Sequence, residues 1–583
     1  MGPIASIVKV NNVLALTLLV FVSFLGYGST FNFPFQFDDE PTIILNPAIR
    51  DVGDLSRIAS FYPPRFFGVL SFALNYYFGE LNPFGYHLVN FILYILTSFV
   101  VFKFTRLLLE AAAVRSEGPS VQERWLPDQE NRSVCALGVA LVFAVHPLQT
   151  QAVTYITQRF ALLSAFFYLL SMFFYLKGLV GEKKKPLASY YVPGAFVAAL
   201  LAMFCKQNAF TLPIAILLLE FFFGTLSPRH PHTRGYRWVP FLLLLAVIPV
   251  TIWLGGDFDK NKILALNENR PSRGDYFLTQ FSVILTYLRL LLFPVNQNLD
   301  YDYPVASSLF SWQGSGSIFL VLGILILTVR LVKTCRLLSF GVLFFFLTLA
   351  VESSFIPLDN FIYEHRIYLP SVGFFIAGLS YFFCQTLQSI SLRLKELLLI
   401  LVVAVLLANT YDRNQVWRDE VTLWTDVVAK SPQKDRAHGN LGIALALRGI
   451  SGPAVREFNQ ALSLNPDNLK ARFNLGVTYF KMGLVEKALD HYRLVLALEP
   501  NHAEAYYNMG VAYAQLGQKQ KAARYYRKVL AVDPRHAKAH NNLAVFYHFH
   551  GEYAKAIEHA DWALRGGYPV HQQFLQLLQM HRK

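Results

Sequence analysis

Three groups of charged residues lie where apolar segments begin or end. Asp38, Asp39 and Glu40 follow the first apolar run. Arg159 opens a second in YITQRFALLSAFFYLLSMFFY, and His365 with Arg366 opens a third in EHRIYLPSVGF. Charge beside or inside a bilayer is costly to keep, so such residues are candidates for function. Their chemistries are complementary. A carboxylate can take the proton from a hydroxyl. Cations can bind a lipid-linked phosphate and stabilise it as it leaves, and the arginine fork fits phosphate oxygens. An acid outside the first helix with cations at other helix mouths is what sugar transfer from a polyprenyl phosphate needs. Plainer roles compete. Asp38 and Asp39 can cap a juxtamembrane helix, Arg159 can anchor at the headgroups, and Arg366 can pair with Glu352 or Glu364. His146, just before Pro147, suits a cap or turn. Asp300 and Asp302 in DYDYP suit a solvated turn.

The elements that must hold these residues follow from composition. The 583 residues are 54% hydrophobic and 15% charged, with mean hydropathy +0.36 and 51 phenylalanines. A soluble globular chain carries roughly 25% charged residues. An ordinary soluble enzyme, a disordered chain and a secreted disulfide scaffold are excluded. The expected fold is all-α: a polytopic helical membrane domain over residues 1–411, then a helical repeat domain over 412–583. The second part holds 23 Lys+Arg against 15 Asp+Glu, so it carries +8 of the net +14. A solvated charged surface is the plain reading, and an acidic partner or anionic lipid surface the alternative. Cys135, Cys205, Cys335 and Cys384 lie in or beside apolar segments and read as packing residues.

Eleven spans are predicted, near 10–28, 84–104, 133–147, 159–178, 188–205, 208–226, 238–254, 316–333, 337–352, 367–385 and 396–411. The stretches 65–79 and 275–293 are read as juxtamembrane or re-entrant helices. No clean cleavage site follows the first run, so it is expected to be retained rather than removed as a signal peptide. Basic loops at 103–132, 177–185, 229–237, 330–336 and 393–395 then share one side, the cytoplasmic one. The N-terminus is expected inside. The C-terminal domain is expected outside, in the periplasm of a bacterium or the ER lumen of a eukaryote. The loops at 29–84, 146–159, 205–208, 296–304 and 352–371 gather on that same outer side.

The C-terminal part repeats every 34 residues. Pro432, Pro466, Pro500 and Pro534 keep that step. So do Asn440, Asn474, Asn508 and Asn542; Gly449, Gly483, Gly517 and Gly551; and Ala454, Ala488, Ala522 and Ala556. Small residues at 442, 476, 510 and 544 let paired helices approach, and Tyr479, Tyr513 and Tyr547 fill the space between them. The second glycine ends the first helix of each pair. These look like tetratricopeptide (TPR) repeats: a half repeat at 416–433, about four repeats over 434–569, and a capping helix at 570–583. Such arrays bind peptides or protein segments. The eight histidines of residues 434–569 show no ligand-like spacing.

The membrane part resembles the GT-C class of integral membrane glycosyltransferases, where an acidic residue or pair in the first external loop is the signature. More closely, the chain resembles the TMTC-type O-mannosyltransferases and their bacterial relatives. The stretches that carry this are FDDEPTIILN, RFFGVLSFALNYYFGELNPFGYHLVN, HPLQTQAVTYITQR, LLLFPVNQNLDYDYP and EHRIYLPSVGF, in that order and followed by the repeats. The resemblance implies Asp38 as general base, with Asp39 assisting it or orienting the acceptor. It implies Arg159, His365 and Arg366, joined by Lys206, as holders of the donor phosphate. His87, His146, Asp300 and Asp302 form a second tier. One departure is visible: Gln207 follows Lys206 where the family pattern leads one to expect an acid. The implied reaction is inverting transfer of a hexose, mannose first, from a polyprenyl phosphate to Ser/Thr hydroxyls of a protein bound by the repeats. Membrane lipids are the other partners, and no nucleic acid is expected. No cofactor is required, though a divalent metal near Asp38 and Asp39 is compatible with the pair. The alternatives are the same chemistry on an envelope glycan or lipid, or a non-catalytic membrane-anchored TPR scaffold.

Overall fold

A computed structural model describes residues 10–116, 129–180, 188–224, 238–254, 271–306, 312–354, 356–358, 360–383 and 390–582. Among them there are helices and no strand, so the fold is all-α. The chain divides into two compact units, Met1–Asp419 and Glu420–Lys583. The last apolar helix, Leu392–Gln415, runs past residue 411 before the first unit ends.

The apolar runs of the first unit become helices of unequal length. Four are long and apolar enough to cross a membrane: Asn12–Asn32, Pro83–Ala113, Ile156–Val180 and Gly314–Leu331. A fifth candidate, Asn131–Val145 with Pro147–Val153, is bent by 54°. Pro147 lacks an amide proton and breaks the helical ladder there. The stretches expected near 188–205, 208–226, 238–254 and 337–352 form shorter apolar helices, Tyr190–Met203, Gln207–Phe223, Val239–Thr251 and Arg336–Leu349. The basic loop at 229–237 lies outside the described residues, as does Cys384 and part of the loops at 103–132 and 177–185. Cys135 and Cys205 are buried and Cys335 is half-buried, all three as thiols rather than disulfides.

Two close approaches set up the site. Gly341 and Gly373 bring helices Arg336–Leu349 and Tyr368–Tyr381 into backbone contact. A Cβ on Gly341 would lie 2.4 Å from the Gly373 carbonyl, and one on Gly373 2.5 Å from the Gly341 carbonyl. The connection between these helices carries Glu352, Glu364, His365 and Arg366. Helix Arg273–Leu292 props that connection with its buried face. The Tyr276 hydroxyl donates to the Glu352 carbonyl, Gln280 to the Phe361 carbonyl and the Tyr287 hydroxyl to the Tyr363 carbonyl. Likewise Gly68 sits where a Cβ would meet the Phe160 ring at 2.1 Å. That contact seats helix Phe66–Gly79, and Arg65 just before it, against the start of helix Arg159–Val180.

The second unit is a row of helix pairs. Helix Glu420–Lys430 leads. The pairs are Asp435–Leu447 with Ser451–Leu464, Leu469–Lys481 with Val485–Leu498, Ala503–Gln515 with Lys519–Val532, and Ala537–Phe549 with Tyr553–Arg565. Gln572–Gln579 closes the row. Gly449, Gly483, Gly517 and Gly551 all have φ between 73° and 79°, the left-handed turn that ends the first helix of each pair. At Gly510 a Cβ would lie 2.4 Å from the Tyr526 ring, which explains the small residue there. Among the histidines, His540 and His559 do meet, Nδ1 to Nδ1 at 2.8 Å, and His438 pairs with Glu457 at 2.7 Å.

Candidate active site

The acidic loop divides its two aspartates. Phe37 holds a left-handed backbone, φ 51°, which turns the chain just before the pair. Asp39 is buried. One carboxylate oxygen accepts the Gln36 amide at 2.9 Å; the other accepts the Thr157 amide at 2.8 Å and the Thr157 hydroxyl. Burial pushes the Asp39 carboxyl up to about 7, against the lowering effect of those hydrogen bonds. Asp38 is exposed, and its amide donates to the Tyr155 hydroxyl at 2.9 Å. Burial, with the charges of Asp38 and Asp39, holds the Tyr155 hydroxyl well above its ordinary range, so it stays protonated.

The segment HPLQTQAVTYITQR at 146–159 organises the rest. Except for half-buried Gln158, it is buried throughout. It has no continuous helix to satisfy its backbone, and its side chains reach in several directions. Gln149 bonds Ser371, Gln151 accepts the His365 amide at 2.6 Å, and Thr154 donates to Asn414 at 2.6 Å. Tyr155 and Thr157 hold the two aspartates. The acidic loop and the histidine turn are therefore tied to one short segment, at positions four to six residues apart.

The cations meet around His365. Lys206 is buried and ion-paired with Glu352 at 2.7 Å. Arg366 donates to the Asn360 and Phe361 carbonyls, both at 3.0 Å, and lies over Tyr363. Arg65 lies over Tyr62 and Phe160 and reaches Gln207 at 3.4 Å. His365 stacks on Tyr363, and its Nδ1 is buried without a partner. Burial, with the charges of Lys206, Arg366 and Arg65, holds the His365 imidazole well below its ordinary value, so it is neutral. Gln151 Nε2 and Glu352 Oε2 are also buried without hydrogen-bond partners. Orphaned polar atoms in a buried place mark a site for a polar ligand or water.

Arg159 stands apart from this group. It is fully buried and donates to Asn90 at 2.7 Å, to Asn75, to the Ser71 carbonyl at 3.2 Å and to the Tyr86 carbonyl at 2.8 Å. It also lies over Phe72. Its guanidinium thus joins helices Phe66–Gly79 and Pro83–Ser116 to its own. His87 is buried and anchors the acidic loop through the Phe33 carbonyl at 3.1 Å. His146 caps the turn after Pro147: its Nδ1 accepts the Leu148 amide, and its Nε2 meets the Leu291 carbonyl. Glu364 is fully buried and accepts from the Asn298 amide, the Tyr301 hydroxyl and Gln297, so it fastens the DYDYP loop. Within that loop Asp300 is buried and Asp302 exposed. Arg65, Gln151, Tyr155 and Thr157 join the site beyond the residues singled out by sequence. Arg65 opens the RFFGV stretch, and Gln151 lies in a polar run between apolar segments. Those were their only signals. Both Asp39 oxygens accept hydrogen bonds, and among the described residues no group of three His, Cys, Asp or Glu could hold an ion.

An apolar all-helical unit with an acidic loop and a cation cluster tied to one segment, followed by helix pairs of 34-residue period, defines a membrane-type protein with a TPR array. Residues 467–535 and 507–569 match tetratricopeptide repeats. Protein O-mannosyl-transferases match over most of the chain. One from Caenorhabditis elegans is 26% identical over 480 residues, 77% of this chain and 62% of its own. Drosophila melanogaster Tmtc3 is 28% identical over 68% of this chain and 48% of its own, and Homo sapiens TMTC3 24% over 77% and 51%. The chain is similar to these proteins, and it spans about half to three fifths of the length of those it matches.

Proposed function

We propose that this protein is an integral membrane glycosyltransferase that moves a hexose, mannose first, from a polyprenyl phosphate to Ser/Thr hydroxyls of proteins on the periplasmic or lumenal face. The observation that carries this is exposed Asp38, held at Tyr155, and the cluster of Arg65, Lys206 and Arg366 around neutral His365, tied to one segment. Asp38 takes the proton of the acceptor hydroxyl as its oxygen bonds to the anomeric carbon. The bond from that carbon to the phosphate oxygen breaks on the opposite side, which inverts the centre. The electron pair leaves with the polyprenyl phosphate. The donor is a phosphodiester with one negative charge, and the released monoester approaches two near neutral pH. Three cations against Glu352 leave an excess of two positive charges, which favours the leaving state over the bound donor. Neutral His365 offers its free nitrogen to a phosphate oxygen when that nitrogen carries the proton. Asp39 and Arg159 position the acidic loop and its supporting helices. The array binds the acceptor. The names of the relatives support both the transfer and its protein acceptor.

The test compares Ser/Thr glycopeptides by mass spectrometry in cells with the wild type, a deletion and Asp38→Asn, at equal membrane levels. Hexose-bearing peptides should vanish in the deletion and in Asp38→Asn. Persistence in Asp38→Asn removes the proposed base. Persistence in the deletion removes the protein acceptor and directs attention to lipid-linked glycans.

A further inference from the structure

The array carries a row of cations that its helix packing does not require. Lys487, Lys521 and Lys555 are spaced by 34 residues. They lie over the rings of Tyr479, Tyr513 and Tyr547 at 5.5, 5.5 and 5.2 Å. Each tyrosine is also stacked on a ring from the second helix of its pair: His491 at 5.5 Å, Tyr525 at 5.2 Å and His559 at 5.4 Å. Arginines bridge successive repeats. Arg493 donates to the Tyr513 hydroxyl at 3.3 Å, and Arg527 to the Tyr547 hydroxyl at 3.2 Å. Each arginine therefore shares a tyrosine with the lysine of the following repeat. The helix Lys519–Val532 at the centre of the row holds five cations and no acid.

We infer that this row is a docking surface for an extended acidic segment of polypeptide. It holds whatever chemistry the first unit performs. A repeated cationic unit fits a linear partner with recurring negative charge, and arginine forks take carboxylates with two parallel hydrogen bonds. The tyrosines decide between partners. Tyr513 and Tyr547 are 8% and 7% exposed, covered by the stacked ring and the lysine. Bases of a nucleic acid need open ring faces to stack on. A bilayer interface needs apolar groups free to insert. Neither is offered at Tyr513 or Tyr547. Asp490 and Glu552 pair with Arg493 and Lys555 at 2.6 Å, but both pairs are solvent-exposed and exchange readily with an incoming carboxylate.

The experiment uses the full chain in nanodiscs of phosphatidylcholine and a fluorescein-labelled poly-glutamate peptide, followed by anisotropy. Binding should weaken as salt is raised. Changing Lys487, Lys521, Lys555, Arg493 and Arg527 together to Gln should weaken it about tenfold or more. The triple Lys→Arg variant, which keeps the charge, should bind as the wild type does. Equal binding by the Gln variant, or equal binding of a Gly/Ser peptide, overturns the proposal. So does absence of poly-glutamate binding, including the case where phosphatidylserine vesicles are captured through the same residues instead.

Discussion

The Lys206 ammonium lies 2.7 Å from the Glu352 carboxylate, and both side chains are almost wholly withdrawn from solvent. A pair so placed is costly to break from one side, because the survivor is left charged and dry. Lys206→Met or Glu352→Gln alone should destabilise the first unit by about 3–5 kcal/mol. The double change to Met at both positions should recover most of that loss. Thermal melts of the purified full chain check this; a double variant no better than the singles would show that the residues do not act as a pair.

Asp38 is exposed and Asp39 is not, so their substitutions should separate chemistry from folding. Asp38→Asn should slow hexose transfer by about 10²–10⁴, the usual weight of a general base. Its melting temperature should stay within experimental scatter of the wild type. The rate is measured with a polyprenyl-phosphate hexose and a Ser/Thr peptide. An unaffected rate would move the base elsewhere.

Asp39 should make stability depend on pH. Its folded value near 7 lies above the ordinary 3.8, so the folded chain binds the proton more tightly. The associated stability is full below pH 4 and is lost as pH rises through 7. Across that window the wild type should lose up to about 4 kcal/mol relative to Asp39→Asn, which has no proton to release there. Melts at several pH values compare the two; parallel profiles would count against the buried proton.

Arg159→Ala should remove folded protein rather than donor affinity. It would leave the Asn90 and Asn75 side chains and two backbone carbonyls without their donor, at about 1–3 kcal/mol for each group that finds no substitute. Arg159→Lys should recover only part, since one ammonium cannot span those acceptors. Normal melting of Arg159→Ala with weakened donor binding would instead make Arg159 a phosphate ligand.

Much of the array could be read in advance because its contacts are local. Gly449 turns a helix onto the next one, and Gly510 meets Tyr526 sixteen residues on. Packing of that kind writes itself into the chain as a period. The acidic loop was also visible, because Asp38 and Asp39 stand against an apolar background where charge is rare. Their division was not. Two neighbouring aspartates look alike until Thr157 and Gln36 enclose one of them.

The amino-acid order alone determined an all-helical chain, a long apolar part, a 34-residue array and the acids and bases able to do transfer chemistry. Those properties follow from composition, periodicity and side-chain type. The tertiary structure decided which charges act together. The family resemblance raised the expectation of an acid beside Lys206; the fold supplies one from Glu352, while Gln207 turns to Arg65. It placed Arg159 in a structural clamp and gathered Arg65 with His365. The reason is physical: in a dry interior a charge must find partners within a few ångströms, and the Gly341–Gly373 and Gly68–Phe160 contacts determine which distant segments come that close.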